Sequence, residues 1–313
     1  MPIITLFCGS YCNEKQVIKE ICSQTGYRLI SDREIIAEAS RLSQIPEKKI
    51  ERVFSNKTSV FNRLTHERER SLAHLRMALA NNFMEDELIL SGFSCQLIPR
   101  DISHVLRVCL IADMEFRIGV ACREHQIEQP QALKIIHRED ERCAVWMYRL
   151  YGFIDPWNTS LYDISFPTDK TSQGEIAKSI LENISKSVIK LAARSREPVN
   201  DFNIAAKVEI ALAQKGHAAG VNVCNGSVIL TINKHVLWLN RLEKKLKDIA
   251  KQVAGVKSVE TKVGPGYYQS DVYRQYDFET PSKILLVDDE KKYVKTLSKR
   301  LMMRDLESAV VYD

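Results

Sequence analysis

Four short apolar runs, IITLF, RLI, ELILSG and VLRVCLIA, alternate with long stretches of helical periodicity across residues 1 to about 195. That alternation predicts a parallel sheet wrapped by helices. The chain has 313 residues, enough for two or three domains, and its 45% hydrophobic and 27% charged content excludes disorder and fibres. The net charge is +5, but the most basic stretch, 63-RLTHERERSLAHLR-76, has glutamates interleaved. No nucleic-acid partner is expected. Eight cysteines are scattered among apolar residues without paired spacing, which predicts reduced, buried thiols. No apolar run reaches membrane-spanning length and no secretion signal is present, so the expected location is the cytoplasm, with no transmembrane segment.

Behind the first run lies 9-GSYCNEKQ-16. A phosphate-cradling loop reads G-x-x-x-x-G-K-[ST] between strand and helix, and Gly9 and Lys15 fall where that pattern has them. Glu14 replaces the second glycine, and Gln16 replaces the hydroxyl that binds magnesium. The candidate phosphate contacts are Gly9, Ser10, Asn13, Glu14, Lys15 and Gln16. In such a loop the backbone amides converge on the anion and the helix adds its positive end. A carboxylate at about 4 Å from a phosphate oxygen, in an effective dielectric of about 20, repels it by roughly 4 kcal/mol. That is on the order of a thousandfold in affinity. Alternatively Glu14 turns inward and fills the amide nest with the protein's own anion. On these residues alone the loop is a working one, a retired one or an accident.

Further stretches join it. They are 26-GYRLISDREII-36, 88-LILSGFSCQLIPRD-101, 105-VLRVCLIADMEFRI-118, and 138-REDERCAVWMYRLYG-152 followed by 162-YDISFPT-168. In this order and spacing, residues 3 to 185 resemble the cytidylate-kinase-like family of nucleoside monophosphate kinases. The resemblance implies a P-loop kinase fold and ATP as donor. It also implies that Lys15 meets the donor phosphates, that Asp32 faces the acceptor nucleotide, and that Arg138, Arg142 and Arg149 close over the transferred phosphoryl. Such enzymes act by positioning and charge neutralisation. Phe93 stands where the family's third-strand turn has an arginine. The arginines have a second reading, as a salt-bridged solvated face shared with Glu139, Asp140 and Glu141. Glu14, Gln16 and Phe93 together point to a pseudokinase-like domain, and an active cytidylate kinase is the alternative.

The first domain is expected over 1–195, with a linker at 194-RSREPVND-201. Residues 202–264 form a smaller α+β unit. Ile204, Val208 and Leu212 suit a helix face, alternating strands flank Asn225-Gly226, Leu239, Leu242, Leu246, Ile249 and Val253 form a stripe, and GVKSVETKV closes with a strand. This unit resembles a BON domain, which implies a ligand-binding or scaffolding module. A Tyr-rich linker over 265–282 precedes 283-KILLVDDE-290. The segment 283–313 resembles the start of a response-regulator receiver domain, a doubly wound α/β fold. That resemblance implies magnesium at Asp288 and Asp289 and a cognate sensor histidine kinase as partner. The phosphoacceptor strand is expected beyond residue 313. The whole chain is expected to be a cytoplasmic regulatory protein of two-component signalling, with nucleotide as ligand; an active kinase and an interaction scaffold are the alternatives.

Overall fold

The computed structural model describes residues 2–55, 67–83, 87–185, 193–236, 238–268, 283–287 and 307–311. The first unit runs β1 (Ile3–Cys8), α1 (Glu14–Thr25), β2 (Arg28–Ser31), α2 (Asp32–Ser43), α3 (Glu47–Glu51), α4 (Glu67–Asn82), β3 (Leu88–Ser91) and β4 (Val105–Ile111). It continues with α5 (Met114–His125), α6 (Gln129–Tyr151), β5 (Ile164–Pro167) and α7 (Gln173–Ile184). Five strands make one parallel sheet in the order β2-β3-β1-β4-β5.

The apolar runs lack polar alternation because both faces of this sheet are covered. On the central strand, Ile3 and Phe7 enter one core with Ile35 and Ala39 of α2, Leu75 and Leu79 of α4, and Trp146 of α6. Ile4 and Leu6 enter the opposite core with Val17 and Ile21 of α1 and Ile176 and Ile180 of α7. Because strand side chains alternate between faces, one short run feeds two cores. Helix α2 starts abruptly after β2 through a reciprocal cap, in which Glu34 accepts from the Ser31 backbone amide at 2.7 Å. That start leaves Asp32 at the carboxyl end of the sheet.

The expected linker at 194–201 is corrected by the structure. Ala193–Gln214 is one helix, α8, with Pro198 inside it. Local composition signals a break, but Val199 and Phe202 are buried against the first core, and Phe202 meets Phe83 edge-on at 6.2 Å. Arg76 of α4 reaches Glu209 of α8 at 2.5 Å. Burial and pairing over this length outweigh a breaker near the helix start. The same helix supplies Val208 and Leu212 to a second core. That core is closed by β6 (Gly220–Cys224), β7 (Ser227–Ile232), α9 (Leu239–Lys251) and β8 (Ser258–Val263). Strands β6 and β7 are antiparallel, and β8 lies parallel to β7. Asn225 and Gly226 turn with φ of 50° and 78°, the paired positive values a two-residue hairpin loop needs. The start of the expected 265–282 linker also belongs to this unit, since Tyr267 is buried in its core. Residues 283–287 form β9 (Lys283–Val287), parallel to β10 (Glu307–Val311). Asp288 and Asp289 lie outside the described residues.

Candidate active site

The loop from Gly9 to Asn13 sits at the carboxyl ends of the parallel strands, held by the Gly9 amide donating to the Leu110 carbonyl at 2.9 Å. Tyr11 and Asn13 take φ of 63° and 53°, a left-handed conformation that costs side-chain-bearing residues energy. Space is tight at Gly9, because a Cβ there would stand 3.0 Å from Cys12 Sγ and the thiol would have to give way slightly. The carbonyl of Asn13 accepts from Gln16 and Val17 as α1 begins. Lys15 and Gln16 are exposed on the first turn of that helix. Among the described residues no hydrogen bond or ion pair engages Lys15, so a cation stands ready beside the helix's positive end.

Glu14 does not fill the amide nest. Its carboxylate accepts from Ser91 Oγ at the end of β3, and no loop amide of the described residues donates to it. Glu14 opens α1, and Ser91 pairs with Leu6 in the neighbouring strand, which puts the strand-end hydroxyl within hydrogen-bond reach. The loop amides are thereby left to other acceptors. A magnesium ion fits less well. Gln16 offers an amide where the hydroxyl ligand belongs.

Asp32 is committed to the backbone. It accepts from the amides of Phe93 at 2.7 Å and Ser94 at 2.8 Å. Burial raises its pKa above the ordinary carboxylate value, against the lowering effect of those donors and of nearby Arg142. Phe93 packs into an aromatic group with Phe7 (5.9 Å), Phe54 (5.7 Å) and Trp146 (6.5 Å), and Trp146 Nε1 donates to the Phe93 carbonyl at 3.0 Å. Arg142 lies over the Phe93 ring, 5.0 Å from its centre, and bonds Glu139 at 2.6 Å. Arg138 is exposed and meets Glu139 at 3.4 Å, while Arg149 donates to the Ser55 carbonyl at 2.9 Å. The structure therefore brings Asp32, Phe93 and Arg142 together at the end of β3, and leaves Arg138 on the solvated face of α6.

Three residues outside the sequence-derived site hold this arrangement together. Arg117 is buried on α5; its Nε donates to the Ser10 carbonyl at 2.8 Å and its Nη2 to Ser10 Oγ at 2.7 Å. The same guanidinium grips Asp140 of α6 with two bonds, of 2.9 and 2.6 Å. Ser91 anchors Glu14. The signal for Arg117 was its place inside the stretch 105-VLRVCLIADMEFRI-118, at helical spacing from Val120 and Ala121, both buried. Asp140 was read only as part of the salt-bridged face of α6, and nothing local marked Ser91.

Burial also silences the thiols around the loop. Cys12, Cys109 and Cys143 are each pushed up to about 12 from 9.0, chiefly by desolvation. A rise of that size lowers the thiolate fraction at pH 8 roughly a thousandfold, and only the thiolate attacks. Titration of the native protein with an aromatic disulfide reagent at pH 8 is expected to modify exposed Cys224 promptly, and these three only after denaturation. Prompt modification of Cys12 or Cys143 in the folded protein would show that the loop and α6 do not pack this way.

The fold and these contacts stand beside matches to known proteins. An uncharacterized protein from Eubacterium ventriosum aligns at 12% identity with a TM-score of 0.40, over 59% of this chain and 100% of that one. Shikimate kinase from Acinetobacter baumannii, solved with shikimate, aligns at 15% identity with a TM-score of 0.33, over 61% of this chain and 96% of that one. No curated protein matches the chain. The sequence profile described as the Cytidylate kinase-like family matches residues 3–170. Since that span is more than half of the 313 residues and coincides with the sheet, the loop and α6, the chain belongs to the cytidylate kinase-like family.

Proposed function

We propose that the first domain binds a nucleoside triphosphate through its phosphates without efficient transfer to a monophosphate acceptor, and that it does so as the sensing part of a signalling protein. The observation that carries this reading is the double commitment at the end of β3: Asp32 is spent on the amides of Phe93 and Ser94, and Phe93 fills the adjoining space with an aromatic ring. An acceptor recognised there would have to displace both. On the donor side, Lys15 is exposed and the loop amides are not taken by Glu14. In this reading the unit at 202–264 is a BON-like connecting module, and 283–313 opens a receiver in which Asp288 and Asp289 hold magnesium and which takes its signal from a sensor histidine kinase. No helix among the described residues is long and apolar enough to cross a membrane.

A second reading, an active ATP-dependent cytidylate kinase, is favoured by the same Lys15, which pairs with none of the described residues. Calorimetric titration with ATP and then CMP, followed by an assay for ADP, separates the two. The expected result is ATP binding that Lys15→Ala weakens by about tenfold or more, with no CMP-dependent ADP release. CMP-dependent turnover that Lys15→Ala abolishes would replace the sensor by the kinase, and absence of ATP binding would remove both.

A further inference from the structure

The guanidinium nearest the phosphate loop is already occupied by an internal anion. The Arg117 side chain is only 7% exposed, and its bonds divide between two partners. One is Ser10 in the loop, the other Asp140 on α6. We propose that the Ser10–Arg117–Asp140 clamp is a phosphate-operated latch. Without ligand, Asp140 fills the anion position beside the loop; a polyphosphate chain entering the loop displaces it from Arg117 and frees α6. The proposal rests on the reading that this loop takes phosphates.

Three features decide which partner leaves. A planar guanidinium fork meets carboxylate and phosphate oxygens with the same two-bond geometry, so a phosphate is a direct competitor for the Asp140 position. Arg117 is fixed to the loop independently of Asp140, through the Ser10 carbonyl and hydroxyl, and therefore stays with the loop. Asp140 comes from a separate helix and keeps 24% of its side chain exposed, so water can receive it when it departs. The multiple charges of a polyphosphate, together with exposed Lys15, favour the incoming anion over one carboxylate.

Release would be felt beyond the loop. Along α6, Arg142 covers the Phe93 ring and Trp146 donates to the Phe93 carbonyl, so the helix that Asp140 tethers also presses on the end of β3. An ordinary closing lid gains order when ligand binds. A latch of this kind loosens the middle of α6 instead.

The test uses inorganic tripolyphosphate with the full chain. Asp140→Asn, which keeps the shape and removes the charge, is expected to bind it about tenfold more tightly than the wild type. Equal or weaker binding, or no binding by either protein, overturns the latch. Because removing Asp140's charge leaves Arg117 buried without its counter-ion, the variant's folding is checked by circular dichroism. Hydrogen exchange on the wild type gives an independent reading. Saturating tripolyphosphate is expected to speed exchange of the α6 amides over 137–144, and slower or unchanged exchange overturns the proposal. If Asp140→Asn does not fold, the exchange result decides, and failure of the wild type to bind then counts as a negative. ATP binding by the wild type with no gain in the variant removes the latch and leaves the sensor reading intact; no binding of ATP or tripolyphosphate by either removes both.

Discussion

Gly92→Ala is expected to destabilise the first domain by about 4 kcal/mol. Gly92 has φ 117° and ψ −163°, a region open almost solely to glycine. A Cβ there would stand 2.3 Å from Asp32 Oδ2 and 2.5 Å from its Cγ. Backbone strain of roughly 1–3 kcal/mol and overpacking of a similar size therefore add. Asp32 cannot swing away, because it accepts from the two amides that follow Gly92. Urea denaturation followed by tryptophan fluorescence measures the loss. The companion variant Asp32→Ala/Gly92→Ala should recover part of the penalty, since the two residues share one contact. A single variant within about 1 kcal/mol of wild type would mean that Asp32 does not pack against this glycine.

Asp201→Ala is the second large effect, expected to cost about 3 kcal/mol in the unit built around β6, β7 and α9. Asp201 is buried on α8 and accepts from both residues of the hairpin loop, from the Asn225 amide at 2.6 Å and the Gly226 amide at 2.9 Å. Alanine leaves two donors without their charged acceptor. Asp201→Asn retains one acceptor oxygen and should fall between alanine and wild type. Hydrogen exchange at Asn225 and Gly226 reports the lost bonds directly, and the thermal transition reports the unit. Unchanged protection at both amides in Asp201→Ala would contradict the cap. The variant also probes how firmly α8 ties the two cores, because Asp201 is next to Phe202, which packs on the first.

Much of the secondary structure was legible because its causes are local. IITLF became the central strand, Asn225-Gly226 became the hairpin turn, and the leucine stripe from Leu239 to Ile249 became α9. The passage across 194–201 was misread for the complementary reason. Charge and Pro198 argue for a break within a window of eight residues, while the contacts that make it helical come from α4, more than a hundred positions earlier.

The candidate site divides along the same line. Gly9, Lys15 and the altered Glu14 and Gln16 can be read from their spacing, as can the arginines of α6 from helical periodicity. What those residues touch cannot. Glu14 meets Ser91 across 77 positions, Arg117 meets Ser10 across 107, and Asp32 meets Phe93 across 61. By itself the sequence determined that a parallel sheet would carry a loop between its first strand and first helix, followed by a smaller α+β unit, because periodicity and turn chemistry act over a few residues. Only the tertiary structure decided that the loop's carboxylate turns to a strand-end hydroxyl, that an acidic side chain of α6 occupies the nearest guanidinium, and that one helix serves two cores. Those outcomes depend on which distant groups folding brings within hydrogen-bond reach, and buried charges and polar atoms then settle on whichever partners are there.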